Sequence, residues 1–216
     1  MNPVTTATPR QAGRFALRVL HLNVGLLVYG LSVAMMLAGG VGLGPWDVFH
    51  EGLSLHTPLT IGQAMILAGL LLIGISFLLA RVRPGVGTVS NMALIGVWVD
   101  VFLARSWFPH PDGGGAGWAL FLTGLVLNGL ATGLYITAGL GAGPRDGFAL
   151  TLAEKFGTSV RRARTGMEVV VLLSGWLLGG TVGLGTLVFA MLVGPLMQRG
   201  LRVTLPLERA YGTRTP

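Results

Sequence analysis

The sequence of 216 residues lacks cysteine and is poor in charged residues. Without cysteine there are no disulfides and no thiolates, which excludes a large part of redox and zinc chemistry. Charged residues make up only 11% of the chain, whereas soluble domains carry roughly 25%. Hydrophobic residues make up 52%, and the mean hydropathy is +0.71. This composition predicts an all-α polytopic membrane protein.

The motifs of common enzyme classes are absent as well. The sequence has no H-E-x-x-H and no G-x-S-x-G motif, and no Lys-Ser/Thr pair follows its glycine-rich phrases as in a P-loop. We therefore expect no enzymatic activity, no catalytic residue and no cofactor. The first apolar run, from about Phe15 to Ala38, is longer than the ~15 residues of a signal-peptide core and is expected to remain as a membrane helix.

Six apolar runs have the length of about 18 residues that marks a candidate transmembrane helix. They predict spans at 15–38, 59–80, 87–104, 117–138, 165–182 and 184–201. The last two are separated by a short loop around 180–185, because that region is too rich in glycine for one long helix. The predicted organisation is an N-terminal tail (1–14), a first three-helix repeat (15–104), a linker (105–116), a second three-helix repeat (117–201) and a C-terminal tail (202–216).

The basic residues predict the orientation of these spans. With a cytoplasmic N-terminus, fourteen of the fifteen Lys and Arg residues lie on the cytoplasmic side and only Arg105 lies outside. We therefore expect a protein of the bacterial inner (plasma) membrane with both termini in the cytoplasm and the 105–116 linker outside. The net charge of +7 is explained by this topology and by contact with the lipid bilayer, so no nucleic-acid partner is expected.

The sequence contains an internal repeat. The phrase GLGPWDVF begins at Gly42, and GAGPRDGF begins 99 residues later at Gly141. The phrase GVGTVSNMALIG begins at Gly85, and GLGTLVFAMLVG begins 98 residues later at Gly183. Because each repeat holds three spans, an odd number, the two repeats enter the membrane from opposite sides. Such inverted repeats are typical of secondary transporters, whose substrate site lies between the repeats.

Each GxGPxD phrase has the pattern of a helix start. The glycine, proline and aspartate fit the N-cap, N1 and N3 positions of a helix: Gly44, Pro45 and Asp47 in the first phrase, and Gly143, Pro144 and Asp146 in the second. Two interpretations stay open. The phrases are either structural helix starts or the walls of a binding site, since glycine lets a ligand approach the backbone closely.

The candidate substrate or ion site comprises the residues of both phrases: Gly42, Gly44, Pro45, Asp47, Gly141, Gly143, Pro144, Arg145 and Asp146. Trp46 and Arg145 occupy the variable position of each phrase. They suit an interfacial anchor on the outer side and a cytoplasmic charge, respectively. The aspartates favour a cation, a proton or an arginine as their partner.

Ionisable residues inside spans give the secondary candidates Asp100, Arg164 and Glu168. Arg164 and Glu168 are four residues apart, which favours a local ion pair. Asp47, His50 and Glu51 share one helical face and could hold a divalent metal. However, the second repeat has Ala149 and Leu150 in place of His50 and Glu51, so no metal site is predicted.

The paired GxGPxD phrases, the GxGT turns and the R-T-x-x-E pattern from Arg164 to Glu168 resemble the YczE/YitT-like bacterial integral membrane proteins. The resemblance extends from about residue 15 to 201. It implies a six-helix inner-membrane protein and indicates no substrate.

These observations favour a small transporter or permeation protein for an unknown small solute or ion. The alternative is an accessory protein that supports a membrane enzyme, secretion or secondary-metabolite synthesis without transporting anything. A cavity lined by both aspartates would favour transport, and buried turns without a cavity would favour the accessory role. Homodimerisation is also expected, because small residues favour close contacts between helices.

Overall fold

The computed structural model of the chain describes residues 9–105, 107–108 and 114–211, and within these ranges it describes the side chains from 13 to 208. Eight helices and no strands occur in these ranges. They are α1 (Pro9–Gly39), α2 (Pro45–His56), α3 (Ile61–Ala80), α4 (Val86–Ala104), α5 (Gly114–Thr137), α6 (Pro144–Lys155), α7 (Val160–Leu177) and α8 (Leu184–Tyr211). The remaining parts of the predicted tails and linker lie outside the described residues.

Five of the described helices, α1, α3, α4, α5 and α8, are long and apolar enough to span a membrane. Large apolar side chains on these helices are exposed, among them Leu71, Leu78 and Met191. Outward-facing apolar residues in such number suit contact with lipid rather than water. The chain is therefore a membrane protein with an all-helical fold.

The predicted span 165–182 is not among these five helices. The helix there, α7, begins at Val160 and ends at Leu177, and it carries Arg161, Arg162, Arg164 and Glu168. These charges lower its hydropathy below that of a typical span. The predicted break before the last helix is confirmed, since residues 178–183 separate α7 from α8.

Two helices extend well beyond the predicted spans. Helix α1 begins at Pro9 rather than at 15, and α8 continues to Tyr211 rather than ending at 201. Helix α8 contains Pro195 and Pro206, which membrane helices tolerate when neighbouring groups satisfy the freed backbone carbonyls. The ends differ because charged residues such as Arg14 and Arg202 end an apolar run without ending a helix.

Helices α1 and α5 pack against each other in opposite directions at the centre of the fold. Gly39 near the end of α1 lies beside Gly117 near the start of α5, and Gly25 lies against Leu134 and Tyr135. A Cβ atom on Gly25 would be 2.8 Å from the backbone nitrogen of Tyr135. The missing side chain is therefore what allows the two backbones to approach.

Equivalent positions of the two halves, α1–α4 and α5–α8, make the same contact with each other. The Gly87 N–H donates to the Leu140 carbonyl at 2.8 Å, and the Gly185 N–H donates to the Val41 carbonyl at 2.8 Å. We call residues 40–44, between α1 and α2, and residues 138–143, between α5 and α6, the glycine segments. Each GxGT turn thus binds the glycine segment of the other half.

Two glycines of these segments have a backbone conformation that other residues rarely adopt. The φ angles of Gly42 and Gly141 are +120° and +131°. The segments follow the ends of α1 and α5, and they direct the chain into the short helices α2 and α6. Helix α2 packs against α7, and α6 packs against α3. Each half therefore contributes a short helix to the other half.

We predict that Gly25→Ala destabilises the protein by roughly 1–3 kcal/mol, because the new methyl group overpacks the contact between α1 and α5. The matched control is Gly74→Ala on α3, where a Cβ would meet nothing within 4 Å. That substitution should leave stability unchanged or raise it slightly through helix propensity. Thermal unfolding of the purified variants in detergent measures both, and equal midpoints for the two variants would contradict the prediction.

Candidate functional site

Both GxGPxD phrases begin helices as predicted from their sequence. Gly44 and Gly143 are the N-cap residues of α2 and α6, with extended backbone conformations and a proline following each. Asp47 and Asp146 lie in the first turns of the two helices. A carboxylate in the first turn is stabilised by the helix dipole, which accounts for the aspartates as helix-start residues.

The two helix starts line one cavity of about 100 Å³, here called the central cavity. Tyr29 and Asn128, which lie near the middle of α1 and α5, also line it. A cavity of this volume has room for several waters or a small solute. Nine predicted site residues contribute to its lining: Gly44, Pro45, Asp47, Gly143, Pro144, Arg145, Asp146, Arg164 and Glu168.

Three predicted site residues do not line the central cavity. Gly42 and Gly141 contact the GxGT turn of the other half instead. Asp100 accepts hydrogen bonds from the Thr60 hydroxyl at 2.5 Å and from the Gly62 N–H at 2.9 Å. It therefore binds the start of α3, where backbone N–H groups lack partners within their own helix.

The variable residues of the two phrases contact each other. The guanidinium carbon of Arg145 lies 4.8 Å from the centroid of the Trp46 ring, which is a cation–π geometry. The expectation that Trp46 is an outer anchor and Arg145 a cytoplasmic charge is therefore wrong. The physical reason is that the glycine segments bring the starts of α2 and α6 together, so residues assigned to opposite faces meet in one site.

Asp146 has an internal cation as its partner. Its Oδ1 lies 3.2 Å from the Arg164 guanidinium, and its Oδ2 accepts a hydrogen bond of 3.1 Å from the Tyr135 hydroxyl. The same guanidinium pairs with Glu168 at 3.0 Å, so the predicted pair of Arg164 and Glu168 is present. This network fixes the orientation of Asp146 at the cavity wall.

Asp47 is in a different environment, although it occupies the equivalent position. It is 5% exposed, and its Oδ1 has no hydrogen-bond partner among the described residues. Nδ1 of His50 lies 4.0 Å from this Oδ1, and it likewise has no hydrogen-bond partner among the described residues. Burial raises the pKa of Asp47 to about 6, with Arg145 opposing and Glu51 adding to the rise. Burial also lowers the pKa of His50 well below its ordinary value, so His50 is neutral near pH 7.

The metal-binding arrangement considered for α2 is not assembled. Both carboxylate oxygens of Glu51 accept hydrogen bonds from Thr181, one from its N–H and one from its hydroxyl. Glu51 thus binds the segment before α8 rather than facing a site shared with Asp47 and His50. Among the described residues no group of three His, Asp or Glu side chains could hold a metal ion.

Sequence reasoning missed several polar residues of the central cavity. Tyr29, Asn128 and Tyr135 line it, but within apolar helices such residues more often serve helix packing. His50 also lines it, and its relation to the cavity depends on how α2 folds back. The available signal was the presence of polar side chains at the middle of two spans that precede the repeated phrases.

The comparisons with known proteins agree with the membrane fold. Residues 16–200 match the family of unknown function DUF6198. The chain is 38% identical to the uncharacterized membrane protein YczE of Bacillus subtilis over 191 residues, which cover 88% of this chain and 86% of that protein. It is 32% identical to an uncharacterized protein of Haemophilus influenzae, over 88% of this chain and 81% of that one. No solved structure matches the chain.

The pKa of Asp47 predicts a pH dependence of stability. Because this pKa lies at about 6 in the folded protein and near 3.8 otherwise, the folded state binds a proton that the unfolded state releases between these values. The contribution of Asp47 to stability is therefore full below about pH 4 and lost as the pH rises through about 6, a change of roughly 1–3 kcal/mol.

Asp47→Asn, which resembles the protonated form, should lack this loss. We expect its unfolding midpoint to rise relative to wild type between pH 4.5 and pH 7.5. Thermal unfolding in detergent across this range measures the difference. Glu154→Gln, an exposed position on α6, is the control and should follow wild type. Parallel pH curves for Asp47→Asn and wild type would contradict the prediction.

Proposed function

We propose a transport or permeation function for this chain, which belongs to the family of unknown function DUF6198. The solute is a small molecule or ion, and its site is the central cavity. The protein acts without catalysing a reaction. The observation that carries the proposal is that the equivalent helix starts of both halves, with Asp47 and Asp146, line the same cavity.

The position of the cavity along the spans supports this proposal. Tyr29 and Asn128 lie near the middle of two helices long enough to cross the bilayer. In many secondary transporters the substrate site lies near the midplane and is formed by the ends of interrupted helices. Helices α2 and α6, with 12 residues each, are too short to span and begin at the cavity. A structural helix start would need neither the cavity nor the charged residues that line it.

An inverted repeat with six spans is part of the proposal. The opposite directions of α1 and α5 and the reciprocal contacts between the glycine segments and the GxGT turns support it. Helix α7 is then the remaining span, the fifth in chain order. Its Arg164 and Glu168 face the central cavity rather than lipid, so its low hydropathy is compatible with a position inside the membrane.

The location and assembly that follow from this topology are also proposals. Both termini are in the cytoplasm, the membrane is the bacterial inner membrane, and no nucleic acid is bound. Two copies of the chain associate through their lipid-facing helices. The mass of the purified protein in detergent tests the dimer.

The topology predicts that the equivalent ends of α2 and α6 lie on opposite sides of the membrane. His56 and Lys155 are the last residues of these helices, and both are exposed. Because the chain has no cysteine, His56→Cys and Lys155→Cys each provide a single labelling site. A membrane-impermeant maleimide added to intact spheroplasts should label the first variant and leave the second unlabelled until the membrane is opened. Labelling of both from one side would refute the inverted repeat.

Transport is tested with the protein reconstituted in liposomes. Voltage-sensitive and pH-sensitive dyes report charge and proton movement under gradients of sodium, potassium, ammonium and chloride. We expect one of these gradients to drive flux through wild type, and both Asp47→Asn and Asp146→Asn to reduce it at least about tenfold, as expected for loss of a charged site group worth ~1.4 kcal/mol or more.

Glu154→Gln, which removes an exposed carboxylate outside the cavity, is the control and should retain the flux. Flux that persists in both aspartate variants would contradict the site. Wild-type liposomes without flux under any of these gradients would favour the accessory role instead.

A further inference from the structure

The two halves of the protein supply different partners to their aspartates. Asp146 is bound by Arg164 and by Tyr135. The equivalent positions of the first half, 99 residues earlier, are Met65 and Met36. Both methionines are buried. The first half therefore has neither a cation nor a hydroxyl donor at the two positions that bind Asp146 in the second half.

The remaining charged groups of the described residues donate no hydrogen bond to Asp47 Oδ1, although the charge of Arg145 partly opposes the effect of burial on its pKa. Arg145 faces the Trp46 ring, and no ion pair between it and Asp47 occurs in the described part of the chain. His50 is neutral, and its Nδ1 lies 4.0 Å from the carboxylate. Asp47 Oδ1 is thus a buried acceptor without a donor, and an unpaired buried carboxylate is costly.

The central cavity as a whole also lacks one positive charge. Among the described residues its lining carries three carboxylates, on Asp47, Asp146 and Glu168, and two guanidiniums, on Arg145 and Arg164. One monovalent cation would neutralise it. A divalent metal would find only Asp47 and His50 as ligands, because Glu51 is bound to Thr181.

We propose that Asp47 is the binding group for one small ammonium cation in the central cavity, and this rests on the transport function proposed above. A primary ammonium carries three N–H donors in a compact group, as a lysine side chain does, and a charge-assisted bond to the carboxylate would satisfy Oδ1. The lining of the cavity also includes Met65, Ala68 and Leu72, which suit a short alkyl group. The volume of about 100 Å³ suits a small cation.

Binding is tested without transport, on the purified protein in detergent at pH 7.5. The probe is methylammonium chloride, and sodium, potassium and tetramethylammonium chlorides at equal concentration are the comparisons. A ligand bound only by the folded state raises the unfolding midpoint, by roughly 3–6 °C at ten times its Kd for a protein of this size. We expect this shift with methylammonium, and Asp47→Asn should abolish it.

Two further variants make the test specific. Met65→Arg introduces the guanidinium that the second half has at Arg164. This guanidinium should pair with Asp47 and so abolish the shift of the unfolding midpoint by methylammonium. Glu154→Gln removes a carboxylate outside the cavity and should retain the shift. If Met65→Arg does not fold, the comparison of Asp47→Asn with Glu154→Gln shows whether the methylammonium shift depends on Asp47.

Three results would overturn the proposal. The first is a methylammonium shift that persists in Asp47→Asn. The second is an equal shift of the unfolding midpoint from sodium or tetramethylammonium. The third is no shift in wild type at methylammonium concentrations up to about 100 mM, which is 100 times a Kd of ~1 mM, typical of weak binding. The outcome is separable from that of the transport test. Binding without flux retains this site and refutes transport, whereas flux of another solute without binding retains transport and refutes this site.

Discussion

The close contact between each glycine segment and the GxGT turn of the other half is the interaction on which the rest of the structure depends. The two backbone hydrogen bonds, from Gly87 to Leu140 and from Gly185 to Val41, join the halves at equivalent points. They form because no side chain separates the backbones. A Cβ on Gly42 would be 2.8 Å from the backbone nitrogen of Thr186. Without this approach, the chain could not turn back from the ends of α1 and α5 to begin α2 and α6 at the cavity.

This constraint also explains how charged side chains remain within an apolar protein. Arg164 and Glu168 bond to each other and to Asp146, and all three line the central cavity. Charges are costly in lipid but tolerated where protein partners or a water-filled cavity receive them. Helix α7 therefore directs its charged residues Arg164 and Glu168 to the cavity, where protein groups pair with them.

The sequence alone was sufficient for features that depend on local chemistry. Gly44, Pro45 and Asp47 predicted a helix start because their N-cap, N1 and N3 preferences are properties of adjacent residues, and the glycine-rich break before α8 was predicted on the same basis. The contacts between the two halves could not be predicted from the sequence. The contact of Trp46 with Arg145 and the pair of Asp146 with Arg164 depend on how two short helices fold back, and the orientation rule separated Trp46 from Arg145.

Comparison of equivalent positions shows which features the two halves share and which they do not. Positions that keep their residue type, such as Gly42 with Gly141 and Thr88 with Thr186, make the backbone contacts between the halves. The shared aspartates Asp47 and Asp146 line the cavity, and so do positions that differ, such as Met65 with Arg164 and Trp46 with Arg145. A symmetric scaffold thus encloses an asymmetric set of charges, with both guanidiniums supplied by the second half. Asp146 is paired with the Arg164 guanidinium and Asp47 has no such partner among the described residues. The two aspartates are therefore not interchangeable, although they occupy the same position of the repeated GxGPxD phrase.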